Sequence, residues 1–187
     1  MMTDSAVTLS MAERFRAAST LEEFVSASVE HGALWHAIIT RSRKSLLPDD
    51  VLARARAIAE PRNVLVLLED WCGDAVNTVP IMDAFALAVP AITLRVVSRD
   101  HNDDLMQAHR SPRAGRAIPV AIVYDGHFNE LGWWGSRPRV LQAWVDSPEA
   151  QAMEKKLRYA GARRWYVQDR GVSTLSELMA VLERHTA

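Results

Sequence analysis

The feature that most narrows the fold of this 187-residue chain is a change of pattern at Asn63. Val64-Leu65-Val66-Leu67-Leu68 is an unbroken apolar run, and Glu69, Asp70 and Trp71 then lead to Cys72. A short continuous run of β-forming residues suits a strand covered on both faces. Residues 75–88 read as a helix, with Pro80 kinking it or removing one backbone bond. Residues 92–97 read as a second strand. Strand, helix and strand at this spacing form a parallel crossover unit, which commits the chain to an open sheet with helices packed on its faces.

The rest of the pattern extends that unit. Residues 103–109 read as a short helix and 111–115 as a loop. Residues 119–124 form a third strand, Asp125-Gly126-His127 a turn, and 128–134 the returning arm of a hairpin. A mixed four-stranded sheet flanked by helices follows, which is an α/β fold. Before it, residues 1–8 are polar and read as frayed, and Ser10 with Glu13 and Thr20 with Glu23 fit capping boxes. Leu34, Trp35, Ile38 and Ile39 recur at helical spacing, with Gly32 as a candidate break in that helix. Asp49 or Asp50 caps another helix whose apolar face is Leu52, Ala55, Ile58 and Ala59, stopped by Pro61. After the sheet, Pro138 opens a helix to residue 145 and Ser147-Pro148-Glu149 starts another. Thr174 with Glu177 caps a last helix ending near Glu183. The organisation is a helical extension over 1–61 packed on the core, then a sheet domain over 62–187 with a C-terminal helical addition.

Composition removes several classes of function. With 49% hydrophobic and 24% charged residues the chain can bury a full core, and a net charge of −1 gives no general pull toward nucleic acid or anionic membrane. No apolar run approaches the ~20 residues that span a bilayer. The first residues lack a basic stretch followed by an apolar one, so the expectation is a cytoplasmic protein. One cysteine excludes an internal disulfide or a cysteine-based zinc site, and the six histidines show no metal-ligand spacing.

Cys72 is therefore the residue on which chemistry would rest. It follows a strand and opens a helix, where backbone N–H groups and the helix dipole favour a thiolate. The topology brings Arg99 and Asp100, Pro119, and Trp134, Gly135 and Arg137 to the same sheet edge, with the loop 110–116 passing close by. Arg99, Arg110, Arg113, Arg116, Arg137 and Arg139 are matched there by Glu69, Asp70, Asp74, Asp100, Asp103 and Asp104, which leaves the sign of any shift in the thiol open. Asp74 fits a first-turn helix acid, and Arg137 either binds substrate or pairs with Asp100 or Glu69. Trp71 covers the thiol, one of Trp133 and Trp134 faces the core, and His31 and His36 lie away from this edge.

Trp71-Cys72-Gly73, Pro80 at the helix-kink spacing, Ile118-Pro119 before the third strand, and the hairpin behind it resemble the thioredoxin fold over residues 62–146. The resemblance implies that Pro119 is cis and faces Cys72. A narrower likeness is carried by Glu69-Asp70-Trp71-Cys72-Gly73-Asp74, Arg99-Asp100, Asp104-Leu105-Met106 and Trp134-Gly135-Ser136-Arg137-Pro138. These resemble a bacterial thioredoxin-like group that shares this segment and generally lacks the second cysteine. Ala75 stands where the resolving cysteine of dithiol members would be, and Val66 where they carry a buried acid, so the resemblance does not extend to a two-cysteine cycle. What it implies is a monothiol thiol–disulfide oxidoreductase that forms a mixed disulfide through Cys72. Trp71, Gly73, Asp74, Arg99, Ile118, Pro119, Trp134 and Arg137 would contact substrate. It would bind no cofactor or metal, and glutathione or another low-molecular-weight thiol would serve as co-substrate. Its partner would be a disulfide-containing or glutathionylated protein or a small thiol compound. The alternative is a non-catalytic module that binds a peptide or partner in the same groove.

Overall fold

The computed structural model describes residues 9–111 and 115–185. The expectation for residues 1–8, and Arg113 with the middle of its loop, lie outside the described residues. Four strands form one sheet in the order β2-β1-β3-β4: β1 Arg62–Leu68, β2 Ile92–Ser98, β3 Val120–Tyr124 and β4 Glu130–Gly135. β1 pairs parallel with β2 and antiparallel with β3, and β3 pairs antiparallel with β4. This is the thioredoxin-like arrangement expected. Val64 through Leu68 are fully buried, as a central strand covered on both faces requires.

The crossover from β1 to β2 is α5, Gly73–Leu87, in which Pro80 sits without ending the helix. A 3₁₀ turn, Arg99–His101, and α6, Asp103–Ala108, follow β2. In the extension, α1 Met11–Ala17 and α2 Leu21–Ser26 both start at the expected capping boxes. Between them Ser19 exchanges backbone hydrogen bonds with Val96, which covers the open edge of β2. α3, Gly32–Lys44, buries Trp35 and Ile39, and α4, Asp49–Arg56, buries Val51 and Ala55. These residues share one continuous core with the sheet and α5.

Two expectations for the extension change. Gly32 does not interrupt a helix but begins one, because His31 before it adopts φ 55 and turns the chain there. α4 has Pro48 rather than an aspartate as its N-cap, with Asp49 and Asp50 in the first turn, and it ends at Arg56, well before Pro61.

After β4 come α7 Arg139–Val145 and α8 Pro148–Ala152, the latter capped by Ser147. Then comes a helix that the pattern did not reveal, α9, Lys155–Asp169. α10, Val172–Leu182, begins directly after Gly171, whose φ of 83 reverses the chain. A side chain there would meet Ile81 of α5 at 2.7 Å. Thr174 and Glu177 consequently do not cap this helix. Thr174 is buried inside it, and Glu177 accepts hydrogen bonds from the Trp134 indole and the Arg139 N–H, both at 2.8 Å. α10 buries Leu175, Leu178, Met179, Val181 and Leu182 against the core. Its last turn is held by Arg62 of β1, whose Nε donates to the Leu182 carbonyl at 2.9 Å.

Candidate thiol site

The site grows from the loop between β1 and α5, which is tied down on two sides. The Glu69 carboxylate accepts from Ser98 Oγ at 2.8 Å and from the Asp100 N–H at 2.9 Å, fastening the ends of β1 and β2 together. The Asp70 carboxylate accepts the N–H groups of Val29 and Glu30, both at 2.9 Å, and its carbonyl accepts the Trp35 indole N–H at 2.9 Å. The helical extension thus clamps the segment that carries Cys72. The same clamp brings His31 and Leu34 to the groove over the thiol, so His31 is not remote from this edge as expected.

Cys72 is the N-cap of α5, and its Sγ donates to the Ile118 carbonyl at 3.4 Å. The Ile118-Pro119 peptide is cis. The thiol is 7% exposed, at the floor of a groove of about 450 Å³. Burial pushes its pKa up, the N–H of Ala75 pulls it down, and the Asp74 charge pushes it up again. The N–H of Asp74 and the Arg137 guanidinium also pull it down, but the net direction is upward. The resting form is a neutral thiol with a carbonyl to donate to, because the helix N-terminus does not outweigh desolvation here.

Beside the thiol, three side chains interlock. Arg137 Nη2 meets Asp74 Oδ2 at 2.6 Å, and the Tyr166 hydroxyl donates to Asp74 Oδ1 at 2.9 Å. Arg137 therefore pairs with Asp74 and not with Asp100 or Glu69; its Nη1 donates to Gln142 at 3.1 Å, and its buried Nε has no hydrogen-bond partner among the described residues. Burial in this cluster and the neighbouring Asp74 charge push the Tyr166 phenol far up. With both oxygens engaged, Asp74 acts as a positioning acid for an arginine and a tyrosine.

Trp71 forms the outer wall; it is 48% exposed, with the Arg99 guanidinium 5.1 Å from its ring centre. Arg99 also bonds Asp100, and Arg116 pairs with Asp103. Of the residues singled out in the sequence, Trp71, Cys72, Gly73, Asp74, Arg99, Ile118 and Arg137 line the groove. Pro119 is buried behind Ile118, and Trp134 is buried with its indole turned to Glu177. Trp133 faces the other layer, edge-on to His109. Tyr159, Ala162, Arg163 and Tyr166 of α9 complete the groove and were not foreseen. Their spacing is helical, but cations on both sides of them dilute the apolar signal.

Among the described residues no helix is long and apolar enough to cross a membrane. The thioredoxin family's sequence profile matches residues 19–154. Among solved structures, a protein of unknown function from Pseudomonas aeruginosa superposes with a TM-score of 0.72 at 23% identity, over 94% of this chain and 98% of that one. An HIV epitope-scaffold protein superposes with a TM-score of 0.71 at 26% identity, over 94% of this chain and 98% of that one. No curated protein matches.

Proposed function

The chain belongs to the thioredoxin family, and within it we propose a one-thiol exchange protein that works through Cys72. Family membership supports a redox role, and the single observation that carries the finer reading is the placement of Cys72. Its Sγ lies at the groove floor against the Ile118 carbonyl, and the apolar Ala75 stands where a second thiol would be. In the first step Cys72 loses its proton to solvent, and its thiolate attacks one sulfur of a substrate disulfide. The substrate S–S bond breaks, one half leaves as a thiolate, and the other half stays on Cys72 as a mixed disulfide. In the second step an external low-molecular-weight thiolate such as glutathione attacks that mixed disulfide. Cys72 leaves, regains a proton and returns to its hydrogen bond with Ile118. A reducing compartment such as the cytoplasm supplies the external thiol.

The raised thiol pKa gives this cycle its character. Only a small fraction of Cys72 is thiolate at neutral pH, so attack is slow. Cys72 is also a poor leaving group, so the mixed disulfide persists until an external thiol removes it. Trp71 and Arg99 form the wall that receives the substrate, with the Gly73 backbone and the Ile118 carbonyl beside the sulfur. Arg137, held by Asp74, supplies the positive charge. Incubation with a glutathionylated test protein should load Cys72, and Cys72→Ser should abolish turnover. Deglutathionylation that survives this change overturns the proposal. A second reading, a non-catalytic peptide-binding module, is favoured by the same raised pKa. It requires that Cys72 stay inert to small disulfides even at pH 9, whereas exchange should accelerate steadily as pH rises toward the thiol's pKa.

A further inference from the structure

α9 lies beyond the family match and has two working faces. Tyr159, Ala162, Arg163 and Tyr166 turn toward the thiol groove. On the other side, Leu157, Arg164 and Val167 line a second groove of about 710 Å³, walled by Trp144 at the end of α7 and Met153 after α8. Gly161 forms its floor, where a Cβ would stand 2.5 Å from Trp144 Cη2. Leu157 and Val167 are 57% and 54% exposed, so among the described residues the groove presents apolar surface without a covering element. Arg163 lines both grooves and marks the ridge between them.

The residues that line this groove include two cations, Arg163 and Arg164, and no acid, although Asp146, Glu149 and Glu154 stand near its Trp144 and Met153 wall in the chain. Residues 155–170 carry six basic side chains and one acid, Asp169, in a chain whose net charge is −1. Asp169 accepts hydrogen bonds from Ser173, and among the described residues Lys155, Lys156, Arg163 and Arg164 form no ion pair. Unmatched cations around an apolar slot complement an acidic chain with apolar anchors. A helix that lies on a lipid surface presents a convex apolar face. The apolar surface here is instead a walled slot, which suits side chains of a folded or folding partner. The acidic balance of the rest of the molecule repels extended polyanions.

We propose that the second groove docks an acidic, apolar-anchored segment of the protein whose cysteine exchanges with Cys72. This rests on the one-thiol exchange reading and names its substrate as a protein with an acidic flank. A helix with its side chains is ~12 Å across, and an extended chain covers ~3.3 Å per residue. The anchor residues should therefore begin about four residues from the reacting cysteine.

The test uses two synthetic peptides, each carrying one cysteine as a mixed disulfide with thionitrobenzoate. One has Glu and Leu at the fourth to eighth positions beyond the cysteine, and the other has Gln and Ser there. Cys72 thiolate attacks the peptide sulfur, the disulfide to thionitrobenzoate breaks, and the released thionitrobenzoate anion is read by its colour. The Glu/Leu peptide should react about tenfold faster at low salt, and the advantage should fall as salt is added. Arg164→Glu and Val167→Ser should each remove most of it while leaving the reaction with the small disulfide of two thionitrobenzoates unchanged. Equal rates for the two peptides overturn the docking proposal and leave the exchange reading standing. No reaction with the small disulfide overturns the exchange reading itself. Sedimentation with phosphatidylglycerol vesicles that is lost in Arg164→Glu overturns the docking proposal in favour of a lipid surface.

Discussion

α5 and α9 are both 15 residues long and meet at the Asp74–Tyr166 hydrogen bond, yet they are held in opposite ways. α5 buries eleven residues against the sheet and the flanking helices, whereas α9 buries only Ala162 and Tyr166. The thiol thus stands on an element that cannot shift without disrupting the core. The groove wall facing it stands on an element anchored at few points. Substitutions on the exposed face of α9 can therefore alter the groove wall while the packing beneath the thiol stays intact.

The largest expected effect tests the rigid side of that contrast. Phe85 is fully buried on α5. Phe85→Ala should cost about 3–5 kcal/mol in urea unfolding, from lost burial and the cavity left behind. A loss below about 1 kcal/mol, within the range of surface substitutions, would mean that α5 is not the packed element described.

Next comes the junction between the two helices. Tyr166→Phe keeps the ring in its small cluster with Leu141 and Ala162 but removes the hydroxyl that donates to Asp74. A hydrogen bond to a charged group contributes about 1.5–3 kcal/mol, so this variant should lose stability in that range while α5 alone keeps its packing. An unchanged urea midpoint would show that α9 leans on the core without being fastened to it.

The thiol itself should report the junction through pH. A thiol whose pKa is raised by folding holds its proton more tightly in the native state. The stability linked to Cys72 is present below the ordinary thiol range and is lost as pH rises above ~8.5. Tyr124 and Tyr166, both raised mainly by burial, add a further loss above ~10. Urea midpoints across this range should fall in two stages, and Cys72→Ala should remove the first. Asp74→Asn removes a charge that pushes the thiol up and frees Arg137 to pull it down. Iodoacetamide should then label Cys72 about two- to tenfold faster at pH 8, because more of the thiol is ionised. Slower labelling would mean that Asp74 serves the thiol as a base.

What could be read from the chain divides along the same line. β1, Cys72, α5 and β2 are contiguous, and their apolar run, helix and returning strand carry their own signals. The hairpin carried its own turn residues between two strand patterns, and the cis Pro119 position followed from a resemblance with short, ordered motifs. The other half of the groove depends on contacts far apart in the chain. Tyr166 meets Asp74 across 92 positions, and His31 reaches the groove only because Asp70 binds the Val29 and Glu30 N–H groups. Thr174 and Glu177 have the spacing of a capping box, but the left-handed Gly171 starts α10 earlier and frees Glu177 for Trp134. That bond turns Trp134 away from the groove its strand position suggested. Local patterns gave the scaffold of the thiol, and the tertiary clamps that surround it have no local signature.

The smallest expected effect bears on the loose side. Leu157 is more than half exposed on α9, packs against no core cluster and lines the second groove. Leu157→Ser therefore removes little buried area, and stability should stay within about 0.5 kcal/mol of the parent. The helix propensity lost on going from Leu to Ser is a few tenths of a kcal/mol, so it falls inside the same window. A loss of about 2 kcal/mol would instead place Leu157 in a closed core. α9 would then be a packed element like α5, with no exposed slot to offer a partner. Stability that holds while reaction with the Glu/Leu peptide slows would separate the two helices as the contrast requires: one is needed for folding and the other for choosing what reaches the thiol.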